Sequence, residues 1–244
     1  MEKRIAIITG ATRGIGRGLF KKLSGLGYSV ATTYHSDEVA ADDLRQQANR
    51  AGIDCLVDRV DIEQLNALPR FIDKVCDRFG RVDYLINNVG IDDFQSIYDL
   101  TLRDWKKSQD MILNAPFVLF KAVVPIMRRQ KFGRIVNIGA SSWDFFKGVP
   151  RAAAFGVHKA ALAILTKTLA FEEIPYGITV NMVAPGSTMG AGILPEEERI
   201  PISQIPIGRR VSIEEVVEAI MYFLSDSAGG VTGQLIGVNG GLST

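Results

Sequence analysis

The sequence predicts an α/β domain in which helices cover both faces of a doubly wound parallel sheet. Three observations predict it. Short apolar runs alternate with longer amphipathic stretches along the whole chain. The first apolar run leads straight into a glycine-rich turn, Gly10, Gly14 and Gly16. No repeat, low-complexity tract or linker divides the 244 residues, so a single domain spanning 1–244 is expected, and a 47% apolar content can fill its core.

Ile5 to Ile8 reads as a buried parallel strand. Leu19, Phe20, Leu23 and Leu26 form the inner stripe of the helix that runs to about Gly27. Ser29 to Tyr34 is the second strand, Asp37 to Gly52 a polar-faced helix that Asp37 can cap, and Ile53 to Val57 the third strand. Asp61 and Gln64 have capping-box spacing for a helix carrying Leu65 to Phe79, which Gly80 stops. Val82 to Ile86 is the fourth strand. A long helical tract opens at Thr101, with Asp104 three residues on, and runs to about Gln130, with breaks or adjustments expected at Pro116 and Pro125. Arg134 to Gly139, Ile178 to Val183 and Gln234 to Val238 are the remaining strands. An apolar helix spans Ala152 to Glu173, and another, opened by Ser212 and Glu215, runs to Leu224. The polar, proline-containing stretch 187–210 is a candidate substrate lid.

Charge narrows the function. With a net charge of +1 and interspersed signs, there is no basic stripe for nucleic acid and no polybasic membrane patch. No apolar run looks long enough to span a bilayer, and the first residues have no signal-peptide layout. Two cysteines, Cys55 and Cys76, without a nearby ligand set fit free thiols in the cytoplasm, and no metal site is expected. The opening glycine turn is a seat for a pyrophosphate, because the first amides of a helix face it. The second strand ends Thr33-Tyr34-His35-Ser36, without an acid to accept from a free ribose 2′-hydroxyl, and Arg13 lies in the turn. Together these favour NADP(H) over NAD(H). Asn114 is a polar residue in an apolar stretch and needs partners.

In order and spacing these motifs resemble the short-chain dehydrogenase/reductase family over essentially the full length, most closely its 3-oxoacyl-acyl-carrier-protein reductases. The cofactor motif is Thr9-Gly10-Ala11-Thr12-Arg13-Gly14-Ile15-Gly16, and Asn87-Asn88-Val89-Gly90 is similar to the family's Asn-Asn-Ala-Gly signature. Asn114, Lys159, Pro185-Gly186 and Val238-Asn239-Gly240-Gly241 match further family positions. The resemblance implies a single-domain Rossmann fold and a cofactor site of Gly10, Thr12, Arg13, Gly14, Ile15, Gly16, Tyr34, His35, Ser36, Asp61, Ile62, Asn88, Val89, Gly90, Lys159, Pro185, Gly186 and Thr188. In the family, the acid matched by Asp61 meets the adenine, and the lysine binds the nicotinamide ribose. The resemblance also implies hydride transfer to a carbonyl, such as a 3-oxoacyl thioester, and a homo-oligomer, most simply a tetramer; the apolar helices 114–130 and 152–173 also call for burial by a partner.

The catalytic set implied by the resemblance is Asn114, Ser142, Phe155 and Lys159, and it departs from the family at the tyrosine and in the placing of the serine. The family carries a tyrosine four residues before its lysine, and here that position is Phe155. A phenyl ring has no proton to give, so a slow enzyme, a displaced acid or a non-catalytic cofactor-binding protein are the three expectations. Ser142, thirteen residues before Phe155, is the expected active-site serine, with Ser141 the alternative and Ala140 the residue reached by counting from the strand. His158 is the candidate substitute acid against a packing role, and Asp144 a candidate for positioning water. Gly190 stands where the family often has threonine, leaving Thr188 to approximate that role, and Trp143, Phe145, Phe146 and Met189 suggest an apolar entrance.

Overall fold

The computed structural model describes residues 4–91, 94–140, 148, 150–190 and 200–242. Seven strands form one sheet: β1 (Ile5–Ile8), β2 (Ser29–Tyr34), β3 (Cys55–Arg59), β4 (Tyr84–Asn87), β5 (Gly133–Ile138), β6 (Ile178–Pro185) and β7 (Leu235–Val238). Their order is β3-β2-β1-β4-β5-β6-β7 and every pairing is parallel. The order reverses between β1 and β4, which places a crevice at the carboxyl ends of those two strands. This is a Rossmann fold.

The pleat sends successive residues to opposite faces. Ile8, Ile86 and Val136 join the layer beneath α1 (Gly14–Gly25), α2 (Glu38–Ala51) and α7 (Ile213–Leu224). Their neighbours Ile7, Leu85 and Ile135 join the layer beneath α3 (Ala67–Phe79), α5 (Ala115–Gln130) and α6 (Ala153–Glu173). The short α4 (Leu102–Gln109) packs against α6. Local capping follows the sequence reading in three helices: Asp37, Thr101 and Ser212 each accept from a backbone amide of the first turn of α2, α4 and α7.

The structure corrects four expectations. Asp61 and Gln64 do not open α3; Asp61 accepts from the Glu63 amide in a preceding turn, and the helix starts at Ala67 without a side-chain cap. The tract from Thr101 is not broken at its prolines. Instead the adjustment expected at Pro116 is a π turn, Asp110–Asn114, which joins α4 to α5 just before that proline in one continuous helical tract, and the helix continues past Pro125. β3 starts two residues later than expected, and β6 extends through Pro185. Finally, two helical tracts, 102–130 and 153–176, are long and apolar enough by composition to cross a membrane. Their apolar content serves the sheet: Ala115, Leu119, Val123, Leu169 and Ala170 are core residues.

Candidate active site

The turn after β1 is built by side chains that reach it from three strands. Thr9 Oγ1 accepts from the backbone amides of Asn88 at 2.9 Å and Val89 at 3.1 Å. Asn88 Nδ2 donates back to the carbonyls of Thr9 at 2.9 Å and Gly10 at 3.0 Å. From β2, Thr33 Oγ1 accepts from the Gly10 amide and Thr32 Oγ1 from the Ala11 amide, at 3.2 and 3.1 Å. Gly10 and Gly14 have φ of +69° and +55°, the left-handed region that glycine tolerates. A Cβ on Gly16 would overlap the Gly10 carbonyl and come within 2.7 Å of Asn88 Nδ2. The turn is therefore closed tightly around its own backbone. Arg13, at the N-cap of α1, supplies no side-chain cap, and no acid lies in the first turn. The amides of Gly14, Ile15 and Gly16, beside Thr12, are left to an anion, and the cradle fits the pyrophosphate of a dinucleotide.

The β2–β3 side of the crevice is polar. Tyr34 is buried and its phenol donates to Glu38 at 2.6 Å, a bond that raises its pKa. Glu38 is also paired with Arg45, so both groups are committed. His35 and Ser36 are exposed at the end of β2, with His35 Nδ1 3.5 Å from Asp61 Oδ1. Asp37 is spent capping α2 through its contact with the Ala40 amide. Ile62 is buried beside the half-buried Asp61. The Arg13 side chain is exposed and makes no hydrogen bond or ion pair with another of the described residues.

On the other side of the switch point, α6 brings Phe155 and Lys159 to the crevice one turn apart. Lys159 is buried, and its Nζ donates to the Ile138 carbonyl at 2.5 Å. A Cβ on Gly90 would lie 3.5 Å from that Nζ, so the ammonium borders the Asn88–Gly90 turn. The structure thus gathers Lys159, the end of β5 and the turn after β4 in one place. Phe155 is buried with Ile112, Leu162 and Met182; its ring stands 5.5 Å from that of Phe94, and the Lys159 Nζ lies 5.7 Å from its centroid. Asn114 closes the π turn, where its Nδ2 donates to Asp110 at 2.7 Å.

A buried polar chain fixes the helix that carries the lysine. Asn87 Nδ2 donates to Asn137 Oδ1 at 2.7 Å, Asn137 Nδ2 donates to Thr166 Oγ1 at 2.9 Å, and the Thr166 hydroxyl donates to the Leu162 carbonyl.

His158 faces away from this group. It is buried against α4, with Nδ1 3.0 Å from Ser108 Oγ and its ring edge-on to Trp105 at 4.7 Å. Burial lowers its pKa and keeps the imidazole neutral. This is the packing alternative for His158. Ser141, Ser142, Trp143, Asp144, Phe145 and Phe146 lie outside the described residues, as does 191–199 of the expected lid. At the end of β6, the Gly186 amide donates to the Val238 carbonyl, and Thr188 Oγ1 donates to the Gly186 carbonyl at 3.0 Å. Met189 is exposed beyond it.

Sequence reasoning placed Thr9 in the cofactor motif without a role, and did not single out Thr32 or Thr33 as builders of the cradle. For those two, the available signal was a pair of adjacent threonines in a fully buried strand.

Comparison with known proteins agrees with this geometry. A family model described as Enoyl-(Acyl carrier protein) reductase matches residues 10–243. A short-chain dehydrogenase/reductase of Serratia marcescens, solved as a double mutant, superposes with a TM-score of 0.91 at 28% identity, covering 99% of this chain and 98% of that one. The chain belongs to the short-chain dehydrogenase/reductase family. It is 39% identical to YtkK of Bacillus subtilis (strain 168), over 98% of this chain and 96% of that protein. It is 33% identical to a 3-oxoacyl-[acyl-carrier-protein] reductase of a Synechocystis species, over 99% and 98%. As a short-chain dehydrogenase/reductase the protein is an oxidoreductase whose fold binds a nucleotide cofactor.

Proposed function

We propose that this protein is an NADPH-dependent reductase of a carbonyl substrate, with a 3-oxoacyl thioester as the leading candidate. The observation that carries the reading is the buried Lys159 ammonium, held by the Ile138 carbonyl beside Gly90, on the same sheet edge as the glycine cradle. Gly10, Thr12, Gly14, Ile15 and Gly16 would hold the pyrophosphate. Arg13, with His35 and Ser36, would meet the 2′-phosphate; Asp61 and Ile62 the adenine; and Val89, Gly90, Lys159, Pro185 and Gly186 the nicotinamide half. Tyr34 and Asn88 support the site from behind through Glu38 and the Thr9–Gly10 carbonyls. Bound there, the cofactor supplies a hydride.

The chain's own residues orient and exclude water. Lys159 fixes a positive charge at the crevice, and Phe155 with Phe94 and Ile112 keeps the adjoining wall apolar. Phe155 stands in place of the family tyrosine, so the proton for the carbonyl oxygen comes from a group other than a phenol at this position. The apolar packing of Phe155 favours a second reading: a cofactor-binding member with weak or lost carbonyl reduction, acting as a sensor or partner subunit. Exposed Phe117, Val157, Ile164 and Phe171 on the outer faces of α5 and α6 support a homo-oligomer, of which a tetramer is our choice. The unpaired Cys55 and Cys76, the former with its thiol pushed up to about 12 by burial, suit a reducing cytoplasm.

The test is calorimetric titration with NADPH and NADH, then turnover of 3-oxoacyl thioesters and small ketones by wild type and Phe155→Tyr. Tighter NADPH binding, with reduction raised about tenfold or more by the restored phenol, is expected. Preference for NADH removes the 2′-phosphate argument. Tight NADPH binding with both proteins inert across the screen makes the second reading the correct one.

A further inference from the structure

The segment after β6 is braced by a residue that no part of the reading above uses. Arg210 is buried, only 8% exposed. Its Nε donates to Ser187 Oγ at 3.1 Å, and its Nη2 approaches the Ile200 carbonyl at 3.4 Å. The backbone around it is paired to the same segment: the Val211 amide donates to the Ser187 carbonyl, and the Met189 amide to the Val211 carbonyl. Ser187 directly follows Pro185 and Gly186, at the carboxyl end of β6. Within that turn the Thr188 hydroxyl is directed to the Gly186 carbonyl, so the Ser187 hydroxyl is tied to a side chain arriving from just before α7.

Sheet topology says which part of a bound dinucleotide this turn meets. The crevice lies between β1 and β4; one mononucleotide half lies over β1–β3 and the other over β4–β6. The adenosine half belongs to the β2 end, so the turn after β6 belongs to the nicotinamide half. A guanidinium holds its donors in a rigid plane, which suits it to fix a hydroxyl and a carbonyl together.

We propose that Arg210 is a positioning residue that sets the Pro185–Gly186–Ser187 turn against the nicotinamide half of the cofactor through its bond to Ser187. The inference rests on the dinucleotide reading of the site, and its test separates the two. Full-length wild type, Arg210→Met, Arg210→Lys and Ser187→Ala are titrated with NADPH and with 2′-phospho-ADP-ribose, which lacks the nicotinamide. Wild type binds both. Arg210→Met and Ser187→Ala should lose about tenfold in NADPH affinity while binding the truncated ligand unchanged, and Arg210→Lys, which retains a donor, should lie between. A purely structural role would weaken both ligands alike, and that result overturns the proposal, as does unchanged NADPH affinity in Arg210→Met and Ser187→Ala. If circular dichroism shows Arg210→Met unfolded, Ser187→Ala decides alone. Failure of wild type to bind either ligand, and NADH or ADP-ribose in their place, rejects the dinucleotide reading itself, and the inference with it; if only the pair without the 2′-phosphate binds, the same comparison is made with NADH and ADP-ribose.

Discussion

Gly16→Ala probes the cradle where its geometry is tightest. The added Cβ would overlap the Gly10 carbonyl oxygen, lie 2.7 Å from Asn88 Nδ2 and 3.1 Å from Ala11 Cα. Two of these three are backbone atoms, which cannot rotate aside. Overpacking of this kind costs about 1–3 kcal/mol. Displacing Asn88 also weakens its bonds to the Thr9 and Gly10 carbonyls, each worth about 0.5–1.5 kcal/mol. A combined loss of about 2–4 kcal/mol lowers Tm by roughly 5–15 °C in a chain of this size. The α1 amides move with the turn, so NADPH affinity should fall at least about tenfold. Gly25→Ala is the matched control. It lies in the same helix with nothing within 4 Å of its Cβ, and should be neutral or gain up to about 1 kcal/mol. The assays are differential scanning calorimetry and NADPH titration on the three proteins. Gly16→Ala melting within about a degree of wild type, with wild-type affinity, would refute the close approach on which the pyrophosphate assignment depends.

Three further outcomes follow from the site. Asn88→Ala removes both donors to the Thr9 and Gly10 carbonyls and should cost about 1–3 kcal/mol in urea unfolding; an unchanged midpoint would mean the brace is dispensable. Lys159→Met should weaken NADPH binding while leaving the circular dichroism spectrum intact, and full retention of affinity argues against a cofactor role for the ammonium. Burial lowers the His158 pKa below its unfolded value of about 6.5, so its contribution to stability is complete above that pH and is lost as pH falls towards the folded value. Tm measured from pH 7 to 5 should therefore fall less steeply in His158→Gln than in wild type, and identical slopes would rule out a buried neutral imidazole.

What could be read from sequence was what is local. The apolar runs of β1 and β2 and the caps at Asp37, Thr101 and Ser212 depend on neighbours within a few residues, and they appear in the structure as read. The glycine cluster was legible for the same reason. Its bracing was not, because Thr9 and Asn88 are far apart in the chain, as are Thr33 and Gly10, and meet only when β1, β2 and β4 pair. The Asp61–Gln64 spacing misled because a capping-box pattern also suits a turn, and only the packing of Leu68 and Phe71 decides where α3 begins. Pro116 marked an irregularity that lies one turn earlier, in the π turn. For His158, sequence placed it beside Lys159, but only the docking of α4 shows which way its ring points.

The Asn87–Asn137–Thr166 chain makes α6 a calibrated lever. Thr166 lies seven residues after Lys159, two turns along the same helix face and about 10 Å away. Because Thr166 is tied to the middle of the sheet, neither a rotation nor a slide of the helix is free; either would unseat a buried hydrogen bond. The lysine's coordinates are thus referenced to β4 and β5 rather than to the segments that follow α6. An insertion before Ala152 or after Glu173 would be absorbed at the helix ends, whereas a single residue added between Lys159 and Thr166 would swing the ammonium by about 100° from the crevice.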